Sequence, residues 1–163
     1  TATTEIYTLS LHDALPISHG AGCGATVPQD LATVPVGKGV LRRSGKQTAI
    51  LAFGSMVAPA LAAAENLDAA VADMRFVKPL DEDLILQLAG EYDYLVCTEE
   101  NAEPGGAGSA VLELLAKHKI CKPVLLAGIE DTVTEHGDPA RLLDDLGLSA
   151  GALEQQIREW LAD

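Results

Sequence analysis

A chain of 163 residues is the size of one domain and can bury a real core. Its 24 acidic against 11 basic residues give a formal net charge of -13, which excludes nucleic acid as a partner, since a phosphate backbone needs a Lys or Arg footprint that is missing here. No stretch approaches the roughly 20 consecutive apolar residues of a membrane helix, and the N-terminus lacks the basic start of a secretory signal.

Taken in chain order, residues 1–19 stand apart. Glu5 to Ile17, EIYTLSLHDALPI, resembles the conceptual translation of a sequencing-library adapter joined to a reading frame; the alternative is a native N-terminal arm. In either case no fixed structure is expected there. Residues 20–36, rich in Gly, Ala, Thr and Pro without a period, read as an extended linker, and residues 37–163 as the folded domain. Gly39 to Arg43 and Thr48 to Phe53 flank Ser44-Gly45 and are expected to pair as a hairpin, the first segment forming an edge strand that Arg42 and Arg43 suit.

Beyond this point short apolar runs alternate with segments of helical period. Strands are predicted over Thr48–Phe53, Ala70–Met74, Tyr94–Thr98 and Pro123–Ala127. Helices are predicted over Val57–Asn66, Asp81–Ala89, Ser109–His118, Pro139–Leu146 and Ala150–Leu161. Asp81 is placed to cap its helix, Glu82 and Asp83 to favour the positive end of the dipole, and Leu80 to staple against Ile85. Strand and helix alternation with short connections implies right-handed crossovers and a parallel sheet. The expected fold is therefore an α/β three-layer sandwich with a mostly parallel sheet of about five strands and one antiparallel edge.

Chemistry in such a sheet belongs to the loops beyond the strand C-termini. Gly105, Gly106 and Gly108, with Ser109, open a helix and can cradle an anion. Their spacing matches neither Gly-x-Gly-x-x-Gly nor a Walker loop, and Glu99, Glu100 and Glu103 would repel an anion, so close backbone packing is the favoured role. Arg75 and Lys78 are expected to pair with Glu99 or Glu100 across adjacent strand ends, as an ion-pair network at a domain interface or as a phosphate clamp. Glu99 and Glu100 point to opposite faces of a strand, which excludes a shared-proton dyad. His118 and His136 lack partners at metal-ligand spacing, and Ser55 and Ser109 lack Gly-x-Ser-x-Gly. Cys23, Cys97 and Cys121 are widely spaced and without Cys-x-x-Cys, so neither a zinc site nor a disulfide framework is indicated and a reducing cytoplasm fits. No catalytic residue, bound cofactor or metal ligand is predicted.

Several runs together resemble the third domain of the 1-deoxy-D-xylulose-5-phosphate synthases, in the transketolase superfamily. They are VADMRFVKPLDE from Val71 to Glu82, TEEN from Thr98 to Asn101, GGAGS from Gly105 to Ser109 and EHGD from Glu135 to Asp138, supported by Gly37-Lys38-Gly39 and Ala49 to Gly54. The resemblance spans Gly20 to Asp163. It implies a parent enzyme that is a homodimeric, magnesium- and thiamine-diphosphate-dependent transferase, joining pyruvate to glyceraldehyde 3-phosphate in non-mevalonate isoprenoid synthesis. It also implies that cofactor and reacting groups come from the two preceding domains, so that this part alone is inactive. Arg75, Lys78, Glu99, Glu100, Asn101, Gly105, Gly106, Gly108 and Ser109 then become interdomain or dimer-interface candidates. The family's Tyr-Pro-Arg-Gly stretch, whose arginine helps hold substrate phosphate, is broken here: Ile17-Ser18-His19 precede Gly20, and an imidazole lacks the guanidinium fork. Gly128 to Asp131 also lacks the family's usual proline. The open alternatives are the C-terminal domain of a transketolase or of a 2-oxoacid dehydrogenase β subunit, and a small-anion-binding regulatory module.

Overall fold

A computed structural model describes residues 33–132 and 136–162. The adapter-like leader, the break before Gly20 and most of the linker lie outside the described residues. The elements run β1 (Val40–Arg43), β2 (Thr48–Ala52), a 3-10 turn (Gly54–Met56), α1 (Val57–Leu67), β3 (Ala70–Asp73), α2 (Glu82–Glu91), β4 (Tyr94–Ala102), α3 (Ala107–Lys117), β5 (Val124–Ile129), α4 (Pro139–Asp145) and α5 (Ala150–Ala162). They form one five-stranded sheet in the order β1-β3-β2-β4-β5. β2, β3, β4 and β5 are parallel, and β1 runs antiparallel at the edge.

Alternation along the strands sends side chains to two separate cores. Leu51, Leu95 and Cys97 pack with Ile85 and Leu88 of α2 and Val111 and Leu114 of α3. Ile50, Val71 and Val96 pack with Ala60 and Ala64 of α1 and Leu153 and Ile157 of α5. Because both faces are covered, β2 is buried at every position, which explains its unbroken apolar run.

One expectation is corrected. β1 pairs with β3 and not with β2. Both edges of β2 are taken by parallel partners, β3 and β4, so the chain leaving β1 must pass over the start of β3 to reach the inner position. Gly45 permits this crossing: a Cβ there would lie 2.2 Å from the backbone of Ala69 and Ala70. The Lys46 amide then donates to the Asp68 carbonyl at 2.9 Å. β4 is longer than predicted, extending to Ala102.

The α2 start forms as its sequence dictates. Asp81 accepts from the Leu84 amide at 3.3 Å, and Leu80 packs against the core that holds Ile85. Asp81 also takes the Gly39 amide at 2.9 Å and the Lys38 ammonium at 3.1 Å, tying the entry of the domain to α2.

Candidate functional site

The loops at the C-terminal ends of the strands carry the surface expected to matter. α1 and α3 leave the neighbouring strands β2 and β4 toward opposite faces of the sheet, which makes the gap between these strands the place where an open α/β sheet commonly takes a ligand. That gap is bridged here: the Ser55 hydroxyl makes a short hydrogen bond to the Glu100 carboxylate, and the Phe53 amide donates to the Thr98 carbonyl at 3.0 Å.

Glu99 and Glu100 diverge as period-two geometry requires. Glu100 is exposed, whereas Glu99 is buried and turned toward the N-terminus of α3. The amides of Ala107 and Gly108 donate to its two carboxylate oxygens at 2.7 and 2.8 Å. A helix start with free N–H groups is a ready anion site, and here the protein's own carboxylate fills it. Gly106 lies so close that a Cβ would stand 2.5 and 2.6 Å from the Glu99 oxygens and 2.5 Å from the Ala102 carbonyl. At Gly108 a Cβ would meet Leu126 at 2.7 Å. The glycines thus provide close approach, with a side-chain carboxylate as the principal visitor.

Glu103, just past the end of β4, accepts from the Gly128 amide of β5 at 3.1 Å. Ser109 closes the loop locally: its hydroxyl donates to the Glu103 carbonyl and accepts from the Gly105 amide, both at 3.0 Å. Gly105 has φ +78° with open space around it, so glycine is needed for its backbone conformation. Asn101 is exposed at the end of β4. Burial, and then the Glu99 charge, pushes the Cys97 thiol up to about 12, which disfavours the thiolate that a nucleophile needs.

The expected pairing of Arg75 and Lys78 with Glu99 or Glu100 is not formed. Glu99 is engaged with α3, and Arg75 instead faces Asp73, Nε to Oδ2 at 3.7 Å. Asp73 is already held by Arg42, whose Nε and Nη2 donate at 3.2 and 2.8 Å. Arg75 adopts φ +59°, a left-handed conformation uncommon outside glycine and characteristic of constrained loops. Lys78, which precedes Pro79 through a cis peptide bond, makes neither an ion pair nor a hydrogen bond among the described residues. It borders a groove of about 600 Å³ between the β3–α2 loop and α3, lined also by Val77, Leu80, Ser109, Leu114 and Lys117.

Two pairings do not follow from the sequence. Lys38 reaches Asp81 and Asp83 at 3.1 and 2.9 Å, and Arg42 clamps Asp73. Neither pairing follows a local spacing rule, because each joins positions more than thirty residues apart. Among the described residues no group of three or more His, Cys, Asp or Glu is placed to hold a metal ion, and no helix is long and apolar enough to cross a membrane.

A 1-deoxy-D-xylulose-5-phosphate synthase of Neisseria gonorrhoeae is 65% identical over 150 residues, 92% of this chain and 24% of that protein. One from Cupriavidus necator is 54% identical over 164 residues, 95% of this chain and 26% of that protein. The chain therefore spans about a quarter of the length of these relatives. A solved structure described as a split gene transketolase, inactive β4 tetramer, superimposes with a TM-score of 0.73 at 33% identity, covering 83% of this chain and 46% of that one. Residues 37–153 match the family model described as the transketolase C-terminal domain, and since that is well over half of the sequence, the chain belongs to the transketolase C-terminal domain family.

Proposed function

We propose that this chain is the C-terminal domain of a 1-deoxy-D-xylulose-5-phosphate synthase, a docking module that supports the other domains and a homodimer and performs no chemistry itself. The parent enzyme would join pyruvate and glyceraldehyde 3-phosphate with loss of carbon dioxide in the cytoplasm. Thiamine diphosphate and magnesium would be held by its preceding domains.

The observation that carries the reading is the Glu99 carboxylate seated on the Ala107 and Gly108 amides. The glycine-opened start of α3 does not fit a diphosphate, because the chain's own Glu99 carboxylate already occupies its amides. The same observation weighs against a small-anion-binding regulatory module. Identity of 65% with a Neisseria synthase, against 33% with the split gene transketolase, favours the synthase over other transketolase-like parents. Within this reading, residues 37–163 form the domain, residues 20–36 are the linker from a preceding domain and residues 1–19 are a non-native leader.

Arg75 and Lys78 on the β3–α2 loop, with Glu100 and Asn101 at the end of β4, are then the outward-facing interface groups, while Glu99, Gly105, Gly106, Gly108 and Ser109 shape the β4–α3 connection beside Glu100 and Asn101. The test is direct. The purified chain, given pyruvate, the triose phosphate, thiamine diphosphate and magnesium, is expected to release no carbon dioxide and to give no heat of cofactor binding in a calorimeter. Turnover or saturable binding by the chain alone would reject the proposal.

A further inference from the structure

The groove beside Lys78 has a chemistry of its own. Its apolar lining comes from Val77 and Leu80 on the β3–α2 loop and from Ala110 and Leu114 on α3, and Val77 is half exposed at 50%. Two lysines border it. Lys117 is 3.5 Å from Glu82, and Glu113 stands one turn before it on the same helix wall. Lys78, on the opposite wall, makes no ion pair or hydrogen bond among the described residues, in a chain of 24 acidic and 11 basic side chains where most cations are engaged.

The polypeptide also enters the domain at this place. Gly37 lies against Pro79, where a Cβ would be 2.8 Å from the ring, and the Gly39 amide is bound to Asp81. Residues 37–39 thus run against the loop that forms one wall of the groove, and the relatives are about four times as long as the part this chain matches. The helix start at the groove's edge offers no free anion nest, since Glu99 occupies it. An apolar side chain is therefore a better occupant than a free phosphate.

We infer that this groove seats an apolar side chain flanked by a carboxylate, carried by the part of the parent polypeptide that precedes this domain, with Lys78 receiving the carboxylate. The inference rests on the reading of the chain as a synthase C-terminal domain and assigns the contact within it. A surface of this kind stays hydrated in the separate domain and is covered in the assembled enzyme.

Hydrogen exchange tests it with two proteins: the 163-residue chain alone, and a chimera in which the domain replaces the matching C-terminal quarter of the Neisseria gonorrhoeae synthase. Amides of Val77, Lys78 and Leu80 are expected to exchange about ten-fold or more slowly in the chimera than in the chain alone. Val77→Asp or Lys78→Glu in the chimera should remove most of that protection, whereas Lys119→Glu, the same charge reversal beyond the far end of α3, should leave it. Protection that appears elsewhere on the domain but not at these amides overturns the groove and leaves the synthase reading standing. Absence of any new protection overturns both. If inorganic phosphate at roughly 10 mM protects the same amides in the chain alone, and Lys78→Glu abolishes that effect, the groove is an anion site and the inference fails.

Discussion

Glu99 shows how much one side chain does in this domain. Its carboxylate satisfies two amides at the start of α3 in a buried setting, and charged acceptors make stronger hydrogen bonds than neutral ones. Glu99→Ala leaves both donors buried without a partner, and the expected loss is about 2–4 kcal/mol in a urea titration. Glu99→Gln keeps one acceptor and should lose less. Gly106→Ala drives a Cβ into the Ala102 carbonyl and the Glu99 oxygens, so we expect a loss of about 1–3 kcal/mol. Gly90→Ala, in a helix with nothing within 4 Å of the new Cβ, should gain about 0.5–1 kcal/mol. If the two alanines prove equivalent, the close-packing account of Gly106 is wrong. The sequence shows that the glycines open a helix. It cannot show that Glu99 turns inward to them, because capping rules concern the residue next to the helix and Glu99 lies eight positions before Ala107.

At the scale of elements, α2 is the most self-declared part of the chain. Asp81 combines a cap with a latch onto Lys38 and Gly39. Burial by itself would raise its pKa, but the Gly39 amide, Lys38 and the Leu84 amide outweigh that and hold the carboxyl below its ordinary value. A depressed carboxyl stabilises the fold above its unfolded pKa of about 3.9, and that contribution is lost as pH falls through the folded value. Asp81→Asn should therefore flatten the loss of stability below about pH 4 while lowering stability near neutrality. Denaturant melts of both forms across this range check the sign. The cap was readable from Asp81-Glu82-Asp83 alone. The latch was not, since Lys38 sits 43 residues earlier and approaches only because β1 lies against β3.

For the whole molecule, two cores on opposite faces of one sheet predict a single cooperative unit. The sole tryptophan, Trp160, meets Tyr94 edge-on with ring centroids 5.6 Å apart, so its fluorescence reports the docking of α5 on the sheet. Its unfolding transition should coincide with far-UV circular dichroism, and separate midpoints would mean that α5 detaches first. Likewise native alkylation should reach exposed Cys121 and spare Cys97, which burial and Glu99 hold protonated. By itself the sequence determined the identity and order of strands and helices, because apolar period, caps and glycine breaks are local properties of the chain. It also determined the fold class, since alternating strands and helices with short links leave few ways to cover both faces of a sheet. Tertiary structure alone decided that β1 joins β3, that Arg75 turns to Asp73 and that Glu99 fills the helix start. These outcomes depend on competition among distant groups for the same edge, the same carboxylate and the same amides, and such competition is resolved only when the whole sheet is assembled.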